Sequence, residues 1–188
     1  MSTDKKLVTP STEIGKFEAF DEFAVQAAAE ITYSFKPKKL QMLIIDALKE
    51  LNNQTEIANS DMVTSVSPVT CKYEIGIAEG VYFNFLTEKE MERLKEHMKK
   101  KTFTYLDFIC YIFFKHRRED GKDVSLWSDS NYIRFDMTQK SLRILIHQFK
   151  GTRKLPLDIL IEKIVEKINE KTKTLGLRAI KINIIRGH

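Results

Sequence analysis

Residues 71–116 read CKYEIGIAEGVYFNFLTEKEMERLKEHMKKKTFTYLDFICYIFFKH. Lys72–Ala78 and Val81–Leu86 alternate apolar and polar residues on either side of Glu79-Gly80, the pattern of a tight hairpin. Thr87-Glu88-Lys89-Glu90 then forms a capping box, which predicts a helix running through Met91, Leu94 and Met98. Phe103–Phe114 follows, aromatic, β-branched and apolar on both faces, and reads as a long central strand, with a buried helix as the rival.

The same order recurs downstream. Tyr132–Met137 and Leu142–Phe149 pair across Thr138–Ser141. A helix from Pro156 carries Leu157, Leu160, Ile161, Ile164 and Ile168 on one face, Gly176 ends it, and Leu177–Ile185 alternates as a strand. Between the two units, Asp120-Gly121 marks a turn, Val124–Trp127 a short strand and Ser128–Asn131 a second turn. No residue-level identity links the halves.

Upstream, Phe17, Phe20, Ala24, Ala27, Ala28 and Ile31 have helical spacing. Pro37 opens a second helix with the stripe Leu40, Leu43, Ile44, Ala47, Leu48 and Leu51, capped by Asn52-Asn53. Residues 53–70 read as a connection with room for one short edge strand. The expected fold is therefore α+β: N-terminal helices followed by two β-β-α-β units, forming a largely antiparallel sheet (or two sheets) with helices on one face. Residues 1–15 read as a flexible tail and 16–188 as a single domain, divisible into 16–116 and 117–188.

Hydrophobic residues make up 43% of the 188 residues, which supports a core and excludes a disordered chain. The net charge of +5 is mild, so only clustering of the basic residues would speak to a partner. Cys71 and Cys110 lack metal-ligand spacing and read as buried free thiols of a reducing compartment. The N-terminus has no apolar signal region, and the longest apolar run, Phe108–Phe114, is too short to span a bilayer, so the expected location is cytoplasmic.

Alternation nominates the candidate site. Ile133, Phe135 and Met137 face Ile146, Ile144 and Leu142 on the core side of the second hairpin, and Ile180, Ile182 and Ile184 also point inward. The opposite face then carries Tyr132, Arg134, Arg143, His147, Lys181 and Asn183. Arg134, Arg143 and Lys181 suit phosphates, while Tyr132 and His147 offer flat rings to unstacked bases. A solvated sheet face with an ordinary Asp136–Arg143 ion pair is the competing reading. Arg117, Arg118, Lys150 and Arg153 add basic clusters at element ends. Lys150–Lys154 precedes a helix N-terminus that would favour an anion.

The expected function is non-enzymatic binding of single-stranded DNA or RNA through this basic and aromatic face. The alternative is a protein-interaction subunit or homodimeric module using a strand edge or Phe83 and Phe85, which are either core or an exposed patch. No catalytic motif, metal-ligand pair or cofactor fingerprint is present. An enzyme would have to rely on Asp107, Asp136 and His147 converging, with Asp107 a buried carboxylate in need of a partner.

Overall fold

The computed structural model describes residues 12–58, 68–138 and 140–187. Among the described residues eight strands lie in one curled, antiparallel half-barrel sheet: β1 (Ala27–Thr32), β2 (Thr55–Ile57), β3 (Val69–Glu79), β4 (Tyr82–Phe85), β5 (Tyr105–Arg117), β6 (Asp123–Asp136), β7 (Leu142–Lys150) and β8 (Lys181–Gly187). Their order is β2-β3-β5-β6-β7-β1-β8, with β4 hairpinned onto β3. The described helices, α1 (Pro37–Leu51), α2 (Glu88–Lys100) and α3 (Leu157–Thr174), pack into one core with one face of the sheet.

Local chemistry explains the helix ends. Pro37 occupies the first turn of α1, where its missing N–H costs nothing, and Asn53 turns the chain out of the helix at φ 65°. The Thr87 hydroxyl accepts from the Glu90 amide at 3.3 Å and starts α2. Gly176, at φ 65°, follows α3 in the left-handed conformation.

The expected architecture of N-terminal helices and two repeated units is overturned. Residues 17–31 hold a single 3-10 turn, Phe20–Glu22, and then strand β1. The alanines that suit a helix also satisfy a period of two: Ala27, Ala29 and Ile31 are buried, whereas Glu30 is exposed. β1 fills the slot between β7 and β8 and pairs with both, which satisfies its backbone on two sides. Its small inward side chains sit in the core cluster that also takes α3.

That insertion makes the two units inequivalent. In the first, β5 pairs directly with β3; in the second, β8 is separated from β7 by β1. β6 also runs unbroken through the turn expected at Ser128–Asn131, against the full length of β5. Ile133 does lie opposite Ile146, and Phe135 opposite Ile144, on the helix side. In β8 a bulge opposite Glu30 and Ile31 brings Ile182 and Ile185 against the core and leaves Ile184 exposed, contrary to simple alternation.

The N-terminal segment threads the other face. Ile14 bridges Glu79, the Gly15 amide donates to the Ala78 carbonyl at 2.7 Å, and the Gly15 carbonyl accepts from the Asp107 amide at 2.7 Å. Residues 14–17 thus wedge between the diverging ends of β3 and β5. Among the described residues no helix is long and apolar enough to cross a membrane. Residues 1–11 of the predicted tail, 59–67 of the connection and residue 139 of the Thr138–Ser141 turn lie outside the described residues.

Candidate functional site

The helix-free face is built from alternate residues of β5, β6 and β7, partly covered by residues 12–24. Asp107 and Arg134 stand opposite each other on β5 and β6. Arg134 Nε and Nη2 donate to the two Asp107 oxygens at 2.8 Å each, and Nη1 donates to Asp21 Oδ1 at 2.8 Å. The guanidinium lies between the rings of Phe20, 4.2 Å away, and Tyr105, 4.3 Å away. Asp107 also accepts from the Phe17 amide at 2.7 Å. Burial pushes the Asp107 carboxyl up, against the Arg134 hydrogen bonds that favour its charge. Arg134 is 2% exposed, so this fork holds the N-terminal segment to the sheet and offers nothing to a phosphate as the molecule stands.

Beside this node the sheet carries a field of rings. Tyr132 stacks on Phe149 at 4.2 Å and on Phe83 at 5.7 Å, and Phe17 and Phe23 lean on it from the N-terminal segment at 4.8 and 5.2 Å. His147, opposite Tyr132 in register, stacks on Phe23 at 4.8 Å, with its Nδ1 2.7 Å from the Ala24 carbonyl. Burial, then the neighbouring Tyr111, push the Tyr132 phenol above its ordinary value. Further along β5, Tyr111 approaches Phe85 at 6.5 Å and Phe113 at 6.2 Å.

These outer rings are not sealed. Phe149 is 37% and Phe85 47% exposed, and Tyr111 and Phe113 are half-buried. Around them the register sets small polar and basic groups: Ser130 and Glu74 flank Tyr111, Ser128 and Lys72 flank Phe113, and Thr70 and Ser125 flank Lys115. Lys150 lies opposite Ser130. Lys72 is tied to Glu74 at 3.2 Å, whereas Lys115 and Lys150 make no ion pair among the described residues. A face with exposed π-surface and unpaired ammonium groups can stack planar groups and neutralise anions.

The remaining nominated residues scatter. Arg143 pairs with Asp136 across β6 and β7, the ordinary cross-strand pair. Burial pushes the Asp136 carboxyl up, but the Thr138 hydroxyl and amide and the Arg143 guanidinium outweigh it and hold it below its usual value. Lys181 sits opposite Thr32 on β8, beyond the Leu142 end of β7. Arg117 ends β5 opposite Asp123, and Arg118 lies 3.7 Å from Asp120.

The loop 150–155 already holds an anion of its own. Asp129 accepts from the amides of Arg153 and Lys154 at 3.0 and 2.7 Å and from Gln148 Nε2 at 3.1 Å. The loop amides just before α3 are thus taken by this buried carboxylate, while Arg153 Nε donates to Gln148. Asp107, Asp136 and His147 do not converge, because each has a separate partner.

Tyr111, Phe113 and Phe149 are the face residues that alternation in the sequence passes over. For the first two the signal is the alternation of Tyr111, Phe113 and Lys115 with the buried Cys110, Ile112 and Phe114, masked because both sets are largely apolar. Comparison with family models, with curated proteins and with solved structures finds no match to this chain.

Proposed function

We propose that the protein binds single-stranded nucleic acid on the helix-free face, with bases stacking on Tyr111, Phe113 and Phe149 and phosphates meeting Lys115 and Lys150. The observation that carries this reading is the half-open ring field beside unpaired lysines and serine hydroxyls. Stacking tolerates any base, and the proposed contacts lie on a sheet face rather than on a helix, which favours single strands over duplex. In the molecule as it stands Arg134 is engaged by Asp107 and Asp21 and Arg143 by Asp136, so neither is counted among the phosphate contacts of this open part of the face.

The test is fluorescence anisotropy of labelled oligothymidylate, oligouridylate and duplex DNA. Tyr111→Ala and Phe113→Ala should each weaken single-strand binding by about 1–3 kcal/mol. Full affinity in the Tyr111→Ala/Phe113→Ala double variant, with the fold retained, would remove this face from consideration.

A further inference from the structure

Residues 19–25 lie across the three sheet side chains that best suit a base and a phosphate. Phe23 stacks on the His147 imidazole at 4.8 Å with ring planes 26° apart, and leans on Tyr132. Asp21 places a carboxylate on Arg134, and Phe20 covers the guanidinium plane. A ring on an imidazole and an anion on a guanidinium are the contacts that a nucleotide would make there. The strap and the residues leading into it are also acidic, with Glu13, Glu18, Asp21 and Glu22 against Lys16.

The strap is fixed at its two ends and held between them by side chains. Before it, Glu18 donates from its amide to the Gly80 carbonyl at 3.0 Å; after it, the Gln26 amide donates to the Ile146 carbonyl at 2.9 Å. The backbone bonds of the span are local: Glu22 to Ala19 and Phe23 to Phe20 within it, and Phe20, itself 2% exposed, back to Phe17 just before it. The Asp21 side chain is 78% exposed, so its ion pair sits at the solvent boundary, where such pairs hold weakly. Phe23 is half-buried.

We infer that residues 19–25 are an intramolecular stand-in for nucleic acid, hinged at Glu18 and Gln26, which competes with the bound strand for Tyr132, Arg134 and His147. The inference rests on the nucleic-acid reading above and adds its regulation. In the closed molecule the Tyr111–Phe113–Phe149 part of the face is open, with Phe85 beside it. When the strap swings out, His147 loses Phe23 and the Ala24 carbonyl, and Arg134 loses Phe20 and Asp21 but keeps Asp107. The apparent affinity is then the intrinsic affinity reduced by the fraction of molecules with the strap open.

The experiment uses the full chain and an oligothymidylate of about twelve residues, long enough to cover both parts of the face. Asp21→Asn/Phe23→Ala, which loosens the strap, should tighten binding by about tenfold or more as the open fraction rises. Phe23→Trp provides a second readout that does not depend on destabilising the strap. The emission of the introduced indole, taken as the difference from the unsubstituted protein, should shift to the red when saturating oligonucleotide displaces it from His147. Unchanged or weaker binding by the folded double variant, or no shift in the Phe23→Trp difference emission at saturation, overturns the strap while leaving the Tyr111 and Phe113 dependence intact. Absence of binding in every variant overturns both readings together.

Discussion

Arg134 holds both oxygens of Asp107, and the same carboxylate accepts the amide of Phe17, 90 residues away in the chain. Removing one partner of a buried pair strands the other, so Arg134→Leu should cost about 3–5 kcal/mol in urea unfolding. A cost below about 1 kcal/mol would mean that Asp107 is neutral and that the fork adds little to the fold. Alternation along β6 places Arg134 on the helix-free side, and there it is. Its role was not legible: Asp107 reads as a carboxylate in need of a partner, but nothing local says that Arg134 supplies it or that the N-terminus covers the pair. Gly151 makes a similar point by geometry. At φ 106°, a Cβ there would collide with Asp129 Oδ1 and sit 2.5 Å from the Ser128 carbonyl oxygen. Gly151→Ala should therefore destabilise by more than the ~1–3 kcal/mol of an isolated strained residue, whereas Gly121→Ala, with open space around its Cβ, should stay within that range. Equal losses at the two positions, measured by thermal unfolding, would show that the Asp129 loop is not the tight anchor its hydrogen bonds describe.

At the scale of elements, what could be read were those parts whose local signals agree with their packing. The Thr87 capping box, the Pro37 start, the Gly176 stop and the β3–β4 hairpin each carry their own instructions. β1 does not. Ala27–Ala29 is as good a helix former as any, and only the open slot between β7 and β8 makes it a strand. A peptide of residues 17–32 should accordingly turn helical in trifluoroethanol, as followed by far-UV circular dichroism; an extended spectrum there would show that strand preference is local after all. In β6, Ser128–Asn131 is rich in turn formers, yet Asp129 is held by the amides of Arg153 and Lys154 and the strand continues. The β6–β7 hairpin also sets a pH dependence. Asp136 titrates below its unfolded value, so its contribution is present at neutral pH and is lost as pH falls through its folded pKa, below the ordinary carboxylate value near 4. Asp136→Asn should lower the urea midpoint at about pH 7 and narrow its gap to wild type at about pH 3. A gap of constant size would assign the loss to packing and leave Arg143 with no electrostatic share.

Across the whole molecule the question is whether +5 of net charge attracts a polyanion diffusely or at one place. The acidic strap, with Asp21 on Arg134, lies over one part of the helix-free face, and the unpaired Lys115 and Lys150 lie with the open rings on the other. Lys181 sits at the far end of β7, past β1, on the side away from Phe149. Single-stranded binding releases about 0.7 counterion per neutralised phosphate, so log affinity falls with log salt in proportion to the contacts made. If the lysines beside the rings each meet a phosphate, Lys115→Gln/Lys150→Gln should reduce that slope by about 1.4. Lys181→Gln, an equal loss of charge per residue from the same protein, should leave the slope unaltered. The comparison separates two physical situations that a single affinity cannot. A local contact changes the slope only where the phosphate sits, whereas a general positive field is weakened by any lost lysine. Matching slopes for Lys115→Gln, Lys150→Gln and Lys181→Gln would therefore reduce the face to an attractive surface with no bound path. A slope change confined to the first two would fix the strand's course along β5 to β7, across Phe113, Tyr111 and Phe149.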